Sequence, residues 1–177
     1  QHDELRSLPD RRHFHDRLES EFGEAQRHLD PLACGVIAVE ELRRIVTDHG
    51  APFAARILEE VAGRLRRIIR PTDIAARFRT AEFGLLLPNT RPARALMLAD
   101  QIVSDVALRP ISHDGQSVGV SVSIGIGLYP SGSIRSHSEL LDAASIAVAR
   151  ARVAGSNRVC VVQQQGYIFR PTLPGAA

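Results

Sequence analysis

The sequence predicts an α/β protein with a central mixed, mainly antiparallel sheet and helices packed against it. Three observations carry this. Apolar runs and helical periodicities alternate in the order helix, strand, helices, two strands, helix, strand, helix, strand. That order suits a mixed sheet rather than a doubly wound parallel one. Two alternating segments, Ile74 to Phe78 and Ala81 to Leu87, flank a polar tip at Arg79-Thr80 and read as a β-hairpin. Val118 to Ile126 alternates around Val120, Val122, Ile124 and Ile126, so one face is buried and its serines and glycines turn the other way.

Taken in order, the chain opens with a helix that Asp10 can cap, with Phe14, Leu18 and Phe22 on one face. His13 and His15, two residues apart, fall on different sides of it, which argues against a metal site there. Leu32 to Val39 is a short apolar run that suits a buried strand. Glu40 to Ile45 reads as a short helical turn. A longer helix starts near Pro52, a tolerated first-turn position, and runs to about Ile69 with Phe53, Ile57, Val61, Leu65 and Ile68 inward. After the hairpin, Pro92 to Val106 is helical, and Asp114-Gly115 signals a turn. Ser138 can cap a last helix through Ala151, closed by Gly155. Val159 to Val162 is a final strand, and Gln163 to Ala177 reads as a tail or linker. The domain is therefore expected over residues 1–162, with a tail at 163–177.

With 177 residues the chain is long enough for one ordinary domain and too short for two. It begins at Gln1, which suggests a piece of a longer protein, and no apolar run approaches a membrane span or a secretory segment. A cytoplasmic protein with no membrane contact from this segment is expected. All 22 basic residues are Arg, and the net charge is only +2, so global charge gives no reason to expect a nucleic-acid partner. Locally, Arg64, Arg66, Arg67, Arg70, Arg77 and Arg79 crowd together around the single acid Asp73. Such a cluster is either a solvated face or a set of planar donors for phosphate and guanine. Cys34 and Cys160, far apart and outside any C-x-x-C, are expected to be buried reduced thiols.

Several ordered blocks resemble one family over Asp3 to Val162. Asp3 to Arg12 resembles the entry segment Asp-x-Leu-Thr-x-Leu-Pro-Asn-Arg-Arg, with Arg6 for the Thr and Asp10 for the Asn. Ser121 to Ile126 and Arg152 to Arg158 look like two later blocks, and the hairpin sits where the signature Gly-Gly-Asp/Glu-Glu-Phe would stand. The family is GGDEF, the bacterial diguanylate cyclases, and the resemblance implies its nucleotidyl-cyclase-like palm fold.

The signature itself reads Arg79-Thr80-Ala81-Glu82-Phe83. Cyclases of this kind join two GTP molecules with the help of metal ions held by hard oxygen ligands. The family's metal-binding Asp on the first strand is Ala38 here, the next Asp is Glu40, and the signature carboxylate that holds metal is Ala81. The guanine-reading Asn and Asp align with Val46 and Ala55, whose side chains cannot hydrogen-bond. Arg152 replaces a phosphate-binding Lys, and Ser156 replaces an Arg. The expectation from these replacements is a degenerate domain that is not an enzyme, with no catalytic residue, no metal and no cofactor.

A second family feature is retained. Arg70 and Asp73 form an Arg-x-x-Asp motif at the family's distance from the hairpin. In many cyclases this motif binds the product, cyclic di-GMP, at an inhibitory site. Arg can donate to guanine O6 and N7, and a carboxylate can accept from N1–H and N2–H. With 22 Arg and 10 Asp, about one such spacing is expected by chance, and Arg27 to Asp30 is a second match. Placement alone is informative. The expected ligand is cyclic di-GMP, held by Arg70 and Asp73 with Arg67 and Arg77 in support. A supporting Arg that some members carry appears here as Gln101. The bland alternative is a surface ion pair where a helix meets a strand. Two functions follow: a cyclic di-GMP receptor that signals to an unknown protein partner or to other domains of a longer chain, or a ligand-free module for docking or homodimerisation.

Overall fold

The computed structural model describes the backbone of residues 8–163 and 166–171. Its centre is a six-stranded sheet. The strands are β1 (Leu32–Val39), β2 (Ile74–Arg79), β3 (Glu82–Pro88), β6 (Val122–Tyr129), β7 (Arg158–Gln163) and β8 (Gly166–Pro171). They run in the order β2-β3-β1-β6-β7-β8, and only β6 and β7 are parallel. The parallel step is bridged by helix α5 (His137–Val153), as a parallel connection requires. The mixed, mainly antiparallel class is as expected.

The strand alternation sorts side chains into two cores. Ile37, Leu85, Leu87, Ile124 and Ile126 face one way, against α3 (Ala51–Ile68) and α4 (Pro92–Leu108). Val36, Leu86, Ile74, Ala76 and Phe78 face α1 (Arg11–His28) and α5. β1 is buried at all eight positions because it lies between β3 and β6 with helices on both faces. Its uninterrupted apolar run is the sequence image of that placement. The glycines of β6 meet α5 instead of solvent. A Cβ at Gly125 would lie 2.0 Å from the Val148 amide nitrogen, so the bare strand lets the helix dock directly on the backbone.

Differences from the sequence reading are local. The hairpin turns at Thr80-Ala81, with Arg79 still in β2 and the register shifting between Arg77 and Arg79. Ser136, not Ser138, caps α5 by accepting from the Glu139 amide. The short helix α2 spans Leu42–His49, starting later and running further than Glu40 to Ile45. Asp114 and Gly115, both at positive φ, do make a turn, but it joins two three-residue strands, β4 (Ile111–His113) and β5 (Gln116–Val118). Residues 166–171, expected as tail, form β8 on β7. The entry residues 1–7 and the last residues 172–177 lie outside the described residues. No helix among the described residues is long and apolar enough to cross a membrane.

Both cysteines are free and buried, as expected. Burial pushes the Cys34 thiol from 9.0 up to about 12. Its proton stays on in the folded chain and leaves the unfolded chain above pH 9. Stability from this group is therefore complete below pH 9 and declines between 9 and 12, by about 1.4 kcal/mol per pH unit. A thiol reagent at pH 8 should label neither cysteine until denaturant is added, and the unfolding midpoint should fall between pH 9 and 10.5. Prompt labelling of Cys34 in the folded chain would contradict this packing.

Candidate functional site

Two places in this fold carry the residues singled out by sequence. The first is where β1 ends beside the hairpin. Ala38 pairs with Glu82 across β1 and β3, and the Ala81 carbonyl accepts from the Val39 amide at 2.8 Å. Just past the strand, Glu40 is buried. It accepts from the Ser123 hydroxyl at 2.8 Å and lies 3.2 Å from Arg152 Nε, with Arg152 Nη2 donating at 3.3 Å. Glu82 pairs with Arg79 at 3.2 Å across the hairpin end. Arg79 and Arg11 each stand 4.9 Å from the Phe78 ring centre, so the ring lies within cation–π reach of both guanidiniums. Glu41 takes a left-handed backbone (φ 63) where β1 hands over to α2, a conformation that costs a non-glycine residue energy. Val46 and Ala55 are exposed on α2 and α3. Among the described residues, no three His, Cys, Asp or Glu side chains gather to hold a metal ion. Glu40 is thus engaged by Ser123 and Arg152, and Glu82 by Arg79.

The second place is the corner between α3 and β2. Arg70 and Asp73 do meet, but they face each other instead of projecting together. Arg70 Nη2 donates to Asp73 Oδ1 at 2.7 Å, Nε lies 3.1 and 3.2 Å from the two carboxylate oxygens, and the Arg70 amide donates to Oδ2 at 2.9 Å. Asp73 is almost wholly enclosed, its side chain 1 % exposed, whereas Arg70 is 36 % exposed. The two do form an ion pair where α3 meets β2, as the bland alternative has it, with the carboxylate enclosed and the guanidinium partly exposed. Asp73 raises the Arg70 pKa above its ordinary value, chiefly by hydrogen bonding. Arg70 Nη2 also donates to the Pro88 carbonyl at 2.8 Å and to Thr90 Oγ1 at 2.5 Å. One guanidinium therefore ties the end of α3 to β2 and to the loop before α4.

A cavity of about 380 Å³ opens onto this pair, beside the start of β2 between α1 and the end of α3. Its polar lining is Arg70 and Asp73 together with His13, Arg17 and Arg66. Arg67 and Arg77, expected in support, are not in that lining. Arg67 turns back along α3 to lie 3.8 Å from Glu60, and Arg77 is an exposed residue on β2 whose amide donates to the Pro9 carbonyl at 2.9 Å. Arg64 belongs to neither place and is buried beneath the end of α4. Gln101 lies with Met97 and Leu108 on the outer face of α4. His13 and Arg17 were not visible as site residues in the sequence. Their four-residue spacing puts them on one side of α1, but only the fold brings that side to the α3–β2 corner.

Comparison with known proteins assigns this architecture. The family described as "Diguanylate cyclase, GGDEF domain" matches residues 1–158. The diguanylate cyclase TpbB of Pseudomonas aeruginosa is 33 % identical over 160 residues, covering 89 % of this chain and 37 % of TpbB. The bifunctional diguanylate cyclase/cyclic di-GMP phosphodiesterase MucR of the same species is 33 % identical over 159 residues, covering 90 % of this chain and 23 % of MucR. The chain thus spans little more than a third of these relatives at most. The crystal structure of the TpbB GGDEF domain superposes with a TM-score of 0.84 at 31 % identity, covering 89 % of this chain and 98 % of that one. These findings correct the expectation that the chain is not an enzyme. Relatives named as diguanylate cyclases match it across about nine-tenths of its length.

Proposed function

We propose that this chain, which belongs to the GGDEF family, binds cyclic di-GMP at the corner built by Arg70 and Asp73. The observation that carries the reading is the cavity of about 380 Å³ opening onto a buried carboxylate and its guanidinium partner. A guanine presents N1–H and N2–H donors to a carboxylate and O6 and N7 acceptors to Arg, so its edge complements the pair. To bind, it exchanges with bonds that the pair now makes internally. Arg70 gives up part of its hold on Asp73, and the guanine donors take its place. The exchange also loosens the grip of Arg70 on Pro88 and Thr90. That links ligand binding to the start of α4, a route by which the signal would reach other domains or a partner.

Arg70→Ala removes the donor pair, and loss of one bidentate guanine contact costs about 1–3 kcal/mol, a weakening of roughly 5- to 150-fold. Asp73→Asn keeps the shape but replaces an acceptor by a donor facing guanine N–H groups, so affinity should drop and the preference for guanine over adenine should narrow. Folding of each variant is checked by denaturant unfolding. If folded Arg70→Ala binds as tightly as the unaltered chain, the reading fails. A ligand-free interaction module is the second reading, favoured by Met97 and Leu108 exposed on the outer face of α4. It would show as concentration-dependent self-association that Met97→Gln with Leu108→Gln abolishes.

A further inference from the structure

We infer that Thr90 sets how readily Arg70 takes a guanine, because its hydroxyl oxygen holds an N–H that the base edge would use. The inference rests on the cyclic di-GMP reading and deepens it, naming what that ligand has to displace. A guanidinium offers its N–H donors as two planar forks, one along the side from Nε and Nη2, one at the end from Nη1 and Nη2. In Arg70 the side fork is taken by Asp73, which Nε approaches at 3.1 and 3.2 Å and Nη2 at 2.7 Å. The end fork is only half taken. Nη1 makes no hydrogen bond with the described residues, whereas Nη2 also donates to Thr90 Oγ1 and to the Pro88 carbonyl. Three acceptors thus share the two hydrogens of Nη2.

Guanine O6 and N7 take both donors of one fork at once. At the end fork Nη1 is available, and the second donor becomes so only when Nη2 leaves Thr90 and Pro88. Those two acceptors are not alike. The Thr90 hydroxyl gives its own hydrogen to the Pro88 carbonyl at 2.8 Å, so that carbonyl keeps a donor when Arg70 departs. Thr90 Oγ1 does not. It is the oxygen of a buried residue, 3 % exposed, and losing its charged donor opposes the exchange. The Thr90 amide meanwhile donates to the Pro31 carbonyl at 3.1 Å, fastening the loop after β3 to the loop after α1. Thr90 is therefore a positioning residue that acts through Arg70, and its bond joins the occupancy of the cavity to the segment entering α4.

Thr90→Val keeps the shape of the side chain and removes the competing oxygen. Titrated with cyclic di-GMP, the 177-residue chain carrying it should bind about 3- to 10-fold more tightly than the unaltered chain. Thr90→Ser restores the hydroxyl and should return the affinity to the unaltered value. A packing role predicts the opposite order, because Ser loses the methyl that Val keeps. If Thr90→Val binds no more tightly than the unaltered chain, or Thr90→Ser tightens binding as much as Thr90→Val, the Thr90 inference is wrong. Loss of binding in Arg70→Ala would then leave the Arg70–Asp73 reading standing. If neither the unaltered chain nor Thr90→Val binds cyclic di-GMP, both are wrong. Should Thr90→Val fail to fold, the unaltered chain decides. Saturating cyclic di-GMP should speed hydrogen exchange at the Thr90 amide, and exchange that is slowed or unchanged would overturn the inference.

Discussion

Gly125→Ala is expected to destabilise the folded chain by about 3 kcal/mol or more, at or above the top of the usual range for overpacking. The added carbon would lie 2.0 Å from the Val148 amide nitrogen and 2.3 Å from the Ala144 carbonyl oxygen. Both are helix backbone, so no side chain can rotate out of the way. The helix must move off β6, taking with it Leu140, Ala144 and Val148 from the core it shares with α1. Gly127 meets α5 in the same way, its added carbon 2.7 Å from the Leu140 carbonyl. Substitution at the exposed Gly115 turn is strained for a different reason, its positive φ. Denaturant unfolding gives the comparison directly. A Gly125→Ala midpoint within the error of the unaltered chain would show that the helix does not dock on the strand backbone as described.

Arg64→Met is expected to cost about 2–4 kcal/mol, because a buried guanidinium satisfies several groups at once. Arg64 is 4 % exposed. It donates to the carbonyls of Asp105, Arg109 and Pro110 at 3.3, 2.7 and 3.4 Å, where α4 ends, and it lies 3.5 Å from Glu60. Helix ends leave carbonyls without intrahelical partners, and here a side chain from the neighbouring helix supplies the donors. Met fills much of the stem's volume and removes the donors, so the loss reports hydrogen bonding more than packing. Arg64→Lys should recover only part of it, since one ammonium cannot span the fork. A near-neutral Arg64→Met would mean that these carbonyls are satisfied by water.

Arg64 also shows where sequence reading stops. In the sequence it is one of six neighbouring arginines, and no motif marks it out as the Arg-x-x-Asp spacing marks Arg70. Its role comes from α4, which lies some forty residues away and packs alongside α3. The elements with strong local signals were legible. β1 coincides with Leu32 to Val39 because a strand buried on both faces is apolar throughout. β4, β5 and β8 were not legible, because strands of three residues, or a strand at the sheet edge, leave almost no periodic trace. The candidate site was half legible. The spacing of Arg70 and Asp73 could be read, and the family resemblance placed it. That Asp73 is enclosed, that Thr90 and Pro88 share Arg70, and that α1 supplies His13 and Arg17 are all consequences of tertiary packing. The replaced signature positions were equally plain in the sequence, but the inference from them to a domain without activity did not survive comparison with its relatives.

The most direct test of the central claim is a calorimetric titration of cyclic di-GMP into the unaltered chain. Binding at the Arg70–Asp73 corner predicts a saturable heat with a dissociation constant of tens of micromolar or tighter. An Asp73→Asn chain titrated in parallel should bind measurably more weakly. A flat titration across that concentration range, or identical isotherms for the two chains, would contradict the account.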